Sequence, residues 1–450
     1  MNEICIFCNT GHYIEIFETQ LDIAQRHLDQ GDKVSFFVCD GTIPGCEINY
    51  TKDLNTCLYC VSRRNNGFSN LNGNIKKYGI SSFTTLEDIL SVRNLNLQFN
   101  NLQELKNFTI DDFKIGFSVF SSIADIHRQY EPCLEKYKEE INVLLKSSYR
   151  VFLSFKKFIK KKKPKIVYLF NGRHALEQPV INLCEENKIT YFTHESAYNG
   201  GYFLSKNTQP QDLDGFISRC EKFWNDDKVS TDEKKRIGNL FFKNNLGIRQ
   251  GRVSISKKDN ADHVELNKIR SMDKIKFEKK LPAGWEPAKE NIIIFQSSIF
   301  EEAVVPELYQ HSTVYDDQLS GIKKILSDTY SYNPDIKFYL RLHPSFNFWN
   351  NKTQELELFK SLSSGFANLE IINPDEGHCS YFMMENASKI VSFRSTTAME
   401  AAYRKVPSIV LEDHLVAKFD CVYKPKNHQE VMQLILDKNL RPLDSDDYLK

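Results

Sequence analysis

Apolar positions fall in short runs of strand length, separated by stretches with helical spacing, and the alternation recurs along most of the chain. Residues 4–8 (Ile-Cys-Ile-Phe-Cys) form the first run, residues 13–30 carry apolar side chains at helical intervals, and 34–39 is a second run. This β-α-β opening, with Gly31 after the helix, predicts the start of a doubly wound domain. Residues 65–110 are polar and Asn-rich and predict loops and short helices, whereas 114–160 are helical in pattern. A strand over 166–170, a helix over 175–186 and a strand over 190–193 follow. The stretch 225–290 is charged and weakly apolar, with a helix around 229–245. The alternation then resumes with strands at 291–295, 337–342, 370–372, 389–393 and 406–411, and with helices at 317–329 and 429–440.

Strand, helix, strand at this spacing implies a parallel sheet, whose ligand crevice lies outside the carboxyl ends of its strands. Polar residues collect at such ends. The 337–342 strand runs into Arg341, His343 and Pro344, and proline stops it there. The 389–393 strand runs into Arg394-Ser395-Thr396-Thr397 and then into good helix formers. Hydroxyl residues suit a helix start, where free backbone N–H groups attract an anion. Arg341, His343, Ser395, Thr396 and Thr397 are therefore candidates to converge on one phosphate or diphosphate, with Glu400 one turn into the helix for a ribose hydroxyl.

At 450 residues the chain exceeds one ordinary core, and two domains are expected. Lys+Arg and Asp+Glu number 59 each, so no overall field draws in nucleic acid, and no nucleic-acid partner is expected. No apolar run reaches the roughly 18–20 residues of a membrane span. The acidic start, Met1-Asn2-Glu3, does not read as a signal peptide, and eleven cysteines without an export signal read as reduced thiols. A cytoplasmic protein is the expectation. Cys39, Cys46, Cys57 and Cys60 lie close in sequence, the last two as a Cys-x-x-Cys knuckle, and are candidates for a structural zinc; separate buried thiols are the alternative. The basic segment Lys156 to Lys165 is a candidate for peripheral contact with anionic lipid at the inner membrane face, against a plain solvated helix end.

The Arg341-Leu342-His343-Pro344 turn, the later Ser395-Thr396-Thr397-Ala398-Met399-Glu400-Ala401 segment and Lys405-Val406-Pro407 together resemble the donor domain of bacterial GT-B glycosyltransferases. The transferases concerned build capsule, O-antigen and lipopolysaccharide, and the resemblance covers residues 290–435. A similar His-Pro turn marks bacterial sialyltransferases and teichoic-acid glycerophosphotransferases. The resemblance implies two Rossmann-like doubly wound α/β domains facing across a cleft. Residues 1–245 would form the acceptor-side domain, 246–288 a linker, and 289–450 the nucleotide-sugar donor domain. It implies transfer of a sugar from a nucleotide-sugar to a hydroxyl of a surface polysaccharide or lipid-linked glycan. No catalytic metal is required in that scheme, because fixed cations and the helix start meet the charge on the leaving phosphate.

In enzymes of this kind the first strand turn approaches acceptor or donor phosphate, which makes His12 a candidate. Ser297 and Ser298 would lie beside phosphate, Glu301 beside acceptor or leaving group, and Tyr381 either under a nucleobase or in the core. The Phe170-Asn171-Gly172-Arg173 and His194-Glu195 turns resemble acceptor-side motifs. A general base needs a carboxylate or imidazole within reach of the acceptor hydroxyl, so Glu195 and His194 are the candidates. Arg173 is a candidate for donor phosphate or an acidic acceptor, with pairing to Glu195 as the structural alternative. Lys405 stands where such domains usually have glycine, and Arg394 precedes the hydroxyl turn. A CDP-glycerol-type glycerophosphotransferase, a sugar-nucleotide epimerase and a non-catalytic scaffold of a polysaccharide-assembly complex are the rival readings.

Overall fold

The structure is a computed structural model that describes residues 2–95, 97–197, 201–249, 278–306, 313–343, 346 and 354–449, with backbone alone for 243–249 and 354. Its contacts divide the chain into two units, one of residues 1–212 with 300–309 and one of 213–299 with 310–450.

The first unit is built on β1 (Glu3–Cys8), β2 (Lys33–Val38), β3 (Ile75–Gly79), β6 (Ile166–Phe170), β7 (Thr190–Ser196) and β8 (Tyr202–Lys206), with a small hairpin of β4 (Thr109–Ile110) and β5 (Phe113–Lys114) apart from the sheet. The spatial order is β3-β2-β1-β6-β7-β8, parallel throughout except β8, which runs antiparallel to β7. Chain order therefore reverses between β1 and β6, the winding of a Rossmann sheet. Near-continuous apolar β1 fits a strand covered on both faces. On one side the helix Ile14–Asp29 buries Ile16, Phe17, Ile23 and Ala24. On the other, Phe155 and Phe158 of the helix Lys138–Lys162 pack on Phe37, with ring centroids 5.3 and 4.9 Å away.

The second unit has β9 (Glu290–Phe295), β10 (Ile336–Arg341), β11 (Leu369–Ile372), β12 (Lys389–Ser392) and β13 (Ser408–Val410), all parallel, in the order β11-β10-β9-β12-β13. Here the reversal falls between β9 and β12. Both units are thus Rossmann-like doubly wound α/β domains, as the resemblance implied.

The boundary differs from the expected 245. The helices Leu213–Trp224 and Thr231–Arg249 group with the second unit. Phe242 stacks on Tyr403 at 4.1 Å and 3° and meets Tyr448 edge-on at 6.0 Å, so the apolar face of the later helix is satisfied by C-terminal aromatics. Of the expected linker 246–288, residues 250–277 lie outside the described residues. Within the stretch 65–110, expected to hold loops and short helices, the structure places the end of the helix Leu54–Ser69, the strand β3, and the short helices Leu86–Arg93 and Leu102–Lys106. Among the described residues no helix is long and apolar enough to cross a membrane.

Candidate functional site

In the second unit the carboxyl ends of β10, β9 and β12 are neighbours, and the turns after them carry most of the phosphate candidates. The turn after β9 is pinned from several sides. Gln296 donates through Nε2 to Glu355 Oε1 at 2.6 Å and accepts the His343 backbone N–H at 3.0 Å, tying the β9 turn to the β10 turn. Ser297 Oγ accepts the Arg394 backbone N–H at 3.0 Å, which ties the same turn to the hydroxyl turn after β12. Ser298 donates to the buried Glu355 at 3.5 Å, and the Ile299 N–H reaches that carboxylate at 2.7 Å. Ser297 and Ser298 are buried and serve as braces.

Beyond that brace the candidates divide by exposure. Arg341 is only 2% exposed, and its Nη1 donates to the Asn373 carbonyl at 2.5 Å, so it holds the loop after β11. His343 is exposed, Thr396 is exposed and Ser395 is half-buried. Pro344 lies outside the described residues. Thr397 and Glu400 are buried; Thr397 Oγ1 donates to Ser395 Oγ at 2.8 Å, and Thr396 Oγ1 donates to Glu400 Oε1 at 3.5 Å. Arg394 pairs with Glu412, whose carboxyl burial pushes up and the arginine pulls down. Tyr381 is in the core beneath the Arg404 guanidinium, 3.9 Å from its ring centre, which is the packing alternative. Lys405 adopts φ 58°, the left-handed conformation for which glycine is usual.

In the first unit the turn after β6 uses two left-handed residues, Asn171 (φ 43°) and Gly172 (φ 101°). A Cβ at Gly172 would also lie 2.3 Å from Ile181 Cδ1, so glycine is required there. The turn aims Asn171 Nδ2 at Glu195 Oε2, 2.6 Å away, and Glu195 stays half-buried. Arg173 turns elsewhere. It donates to Ser121 Oγ at 2.7 Å and pairs with Asp125 at 3.2 Å, while His174 reaches Asp125 at 3.3 Å. The expected pairing of Arg173 with Glu195 is not what the structure shows: Arg173 pairs with Asp125, and Glu195 is held by Asn171. Burial would raise the Asp125 carboxyl, but the His174 hydrogen bond and the Arg173 and Arg128 charges outweigh it and hold the group far below the usual range. Glu301 groups with this cluster; burial raises its carboxyl, against the pull of Arg128.

His194 is 1% exposed, and its Nε2 lies 3.4 Å from Gln20 Nε2 between the sheet and the first helix. Burial lowers it to about 3, so it is neutral and shut away, unlike the base expected there. His12 is half-buried, with Nε2 3.1 Å from the Thr56 carbonyl and its ring 5.2 Å from that of Tyr59. Of the four cysteines, Cys60 Sγ accepts the Gly11 N–H at 3.2 Å and Cys57 Sγ accepts Asn49 Nδ2 at 3.2 Å. Among the described residues no group of three or more His, Cys, Asp or Glu side chains is arranged to hold a metal, and all four of these cysteines are described.

Sequence reading missed a pair of acids where the first sheet reverses. Glu177, 3% exposed at the start of the helix Gln178–Glu186, accepts Asn9 Nδ2 at 2.7 Å from the turn after β1. Its other oxygen, Oε2, is buried without a hydrogen-bond partner. Burial raises this carboxyl well above its ordinary range, and the nearby Glu47 carboxylate raises it further. Glu47 in turn accepts Ser122 Oγ at 3.2 Å. A buried glutamate flanked by a second acid holds a proton that an exposed one would lose.

No family model matches the chain, and no curated protein does. Among solved structures, the KpsC beta-Kdo 2,4 transferase of Thermosulfurimonas dismutans is 12% identical, with 59% of this chain and 74% of that chain covered and a TM-score of 0.35. The UDP-GlcNAc 2-epimerase of Methanocaldococcus jannaschii, in complex with UDP-GlcNAc and UDP, is 12% identical, with 99% and 97% covered and a TM-score of 0.31. The UDP-GlcNAc 2-epimerase of Neisseria meningitidis, bound to UDP-GlcNAc, is 11% identical, with 96% and 90% covered and a TM-score of 0.30.

Proposed function

We propose that the chain is a glycosyltransferase that moves a sugar from a nucleotide-sugar to a hydroxyl of a surface polysaccharide, such as capsule or lipopolysaccharide, or its lipid-linked precursor. The observation that carries this reading is the position of the hydroxyl turn. Ser395 and Thr396 follow β12, on one side of the strand-order reversal, and the turn after β9 on the other side is bonded to them through Ser297 and Arg394. Ligands of open α/β sheets bind outside the strand ends at such a reversal. The accessible groups there, His343, Ser395 and Thr396, are the ones that can meet a donor phosphate. Arg341 acts behind them by holding the Asn373 loop.

Departure of the nucleotide leaves charge on phosphate, and donors already in place stabilise it as it develops. The acceptor hydroxyl loses a proton, and Glu195, oriented by Asn171, is the candidate to take it. An epimerase is the second reading, favoured by Glu47 and Glu177. Inverting a carbon centre requires a proton to leave and return, and a Glu177 carboxyl that burial and a neighbouring carboxylate keep protonated suits that exchange.

Thermal-shift measurements with UDP, GDP, CDP, CMP and dTDP test the donor site, since a ligand that binds only the folded state raises the midpoint. One nucleotide is expected to stabilise the parent and not a His343→Ala/Ser395→Ala variant. CMP would point to sialic- or Kdo-like sugars, and CDP to the glycerophosphotransferase. Turnover of a nucleotide-sugar without acceptor would select the epimerase. No shift with any nucleotide would remove the donor reading in favour of a scaffold.

A further inference from the structure

The helix Leu86–Arg93 is turned inside out. Its side toward the protein carries Asp88 and Val92, both buried, and Asp88 caps the helix through Thr85 and pairs with Lys157. Leu86, Ile89 and Leu90 are 71%, 42% and 46% exposed. With exposed Arg93 they occupy positions i, i+3, i+4 and i+7, which is one helical face. A single exposed leucine is ordinary, but an apolar face with the acid directed inward is a surface built to be covered.

The surroundings say by what. Lys157 Nζ also donates to Thr85 Oγ1 at 3.1 Å, and Lys161 lies 6.0 Å from the Phe83 ring centre, so the basic end of the helix Lys138–Lys162 packs against the inward side of this short helix and its start. Lys156, Lys160, Lys161, Lys163 and Lys165 are exposed. Glu87 is the only exposed carboxylate on the short helix, and Asp88 is already paired. An exposed apolar face on a helix that packs against the lysine-rich end of another, and is too short to span a bilayer, matches the boundary between anionic headgroups and acyl chains.

We propose that this face is a docking surface for an anionic lipid bilayer, with Leu86, Ile89 and Leu90 entering the headgroup boundary and the neighbouring lysines on acidic headgroups. The basic segment alone would give only salt-screened attraction; the apolar strip adds insertion. This surface does not depend on the nucleotide-sugar reading.

The test is co-sedimentation of the full chain with vesicles of equal parts phosphatidylglycerol and phosphatidylcholine, and with vesicles of phosphatidylcholine alone. The parent is expected to partition onto the anionic vesicles and far less onto the neutral ones. Leu86→Ser/Ile89→Ser/Leu90→Ser and Lys156→Glu/Lys160→Glu/Lys161→Glu should each lower partitioning at least about tenfold. Leu54→Ser/Leu58→Ser, at exposed apolar positions on another helix, should leave it unchanged. An unaltered melting temperature for each variant shows that it folds. The proposal is overturned if the parent stays off anionic vesicles, or if the serine triple variant binds as the parent does. It is equally overturned if, without vesicles, the parent self-associates and that variant does not, because the face would then bind a second copy.

Discussion

The Glu177 carboxyl has one oxygen on Asn9 and the other buried, with Glu47 as a second acid near it. Its proton is held more tightly in the folded chain than in the unfolded one, where the ordinary value is 4.5. The folded state therefore binds more protons across the interval above 4.5, and stability falls as pH rises through it. Below 4.5 both states are protonated and the penalty vanishes. Glu177→Gln keeps an acceptor for Asn9 and removes the titration. It should raise the melting temperature at pH 7.5, on the order of 2 °C, and give no gain at pH 4. A constant difference across that range would show that the carboxyl is not the cause. Nothing in the residue string marks this group, because its shift arises from burial and from Glu47, 130 positions earlier. His194 misleads in the opposite way: it follows a strand-like run, where an imidazole reads as catalytic, but strand alternation turns it inward onto Gln20.

Elements declared themselves where burial on both sheet faces left unbroken apolar runs, as in Ile292-Ile293-Ile294 of β9 and Ile4 to Cys8 of β1. β3, Ile-Lys-Lys-Tyr-Gly, did not, because an edge strand needs little burial and tolerates two exposed lysines. The β8 strand, antiparallel at the other edge, was also missed, although it carries the half-buried run Tyr202-Phe203-Leu204. Helix ends show a further local conflict. The helix Lys138–Lys162 stops at Lys163, whose φ is 50°, with Pro164 after it. Glycine adopts this left-handed position without the steric cost a Cβ brings. Lys163→Gly should therefore stabilise the chain by roughly 0.5–1 kcal/mol, less the greater backbone freedom of glycine in the unfolded state. Urea denaturation would measure it, and a loss of stability would mean that the lysine has a compensating role.

At the scale of the molecule, a doubly wound parallel arrangement could be anticipated from the β-α-β rhythm, whereas the division between units could not. A charged stretch after the 229–245 pattern reads as a linker, and the helix before it reads as the close of the first domain only if its partners are ignored. Phe242 identifies those partners: Tyr403 stacked at 4.1 Å and Tyr448 edge-on at 6.0 Å, both on C-terminal elements. The same distance in sequence hid the brace at the phosphate candidates, since Glu355 and Gln318 lie far along the chain from the serines they hold. Phe242→Ala removes a buried aromatic and should cost roughly 3–5 kcal/mol. Where that loss is felt distinguishes the two assignments. If the helix Thr231–Arg249 belongs with the second unit, amide exchange will accelerate around Thr397–Tyr403 and Asp447–Leu449, while β6 and β7 keep their protection. Acceleration centred on β6 and β7 would return the helix to the first unit, and with it the boundary at 245.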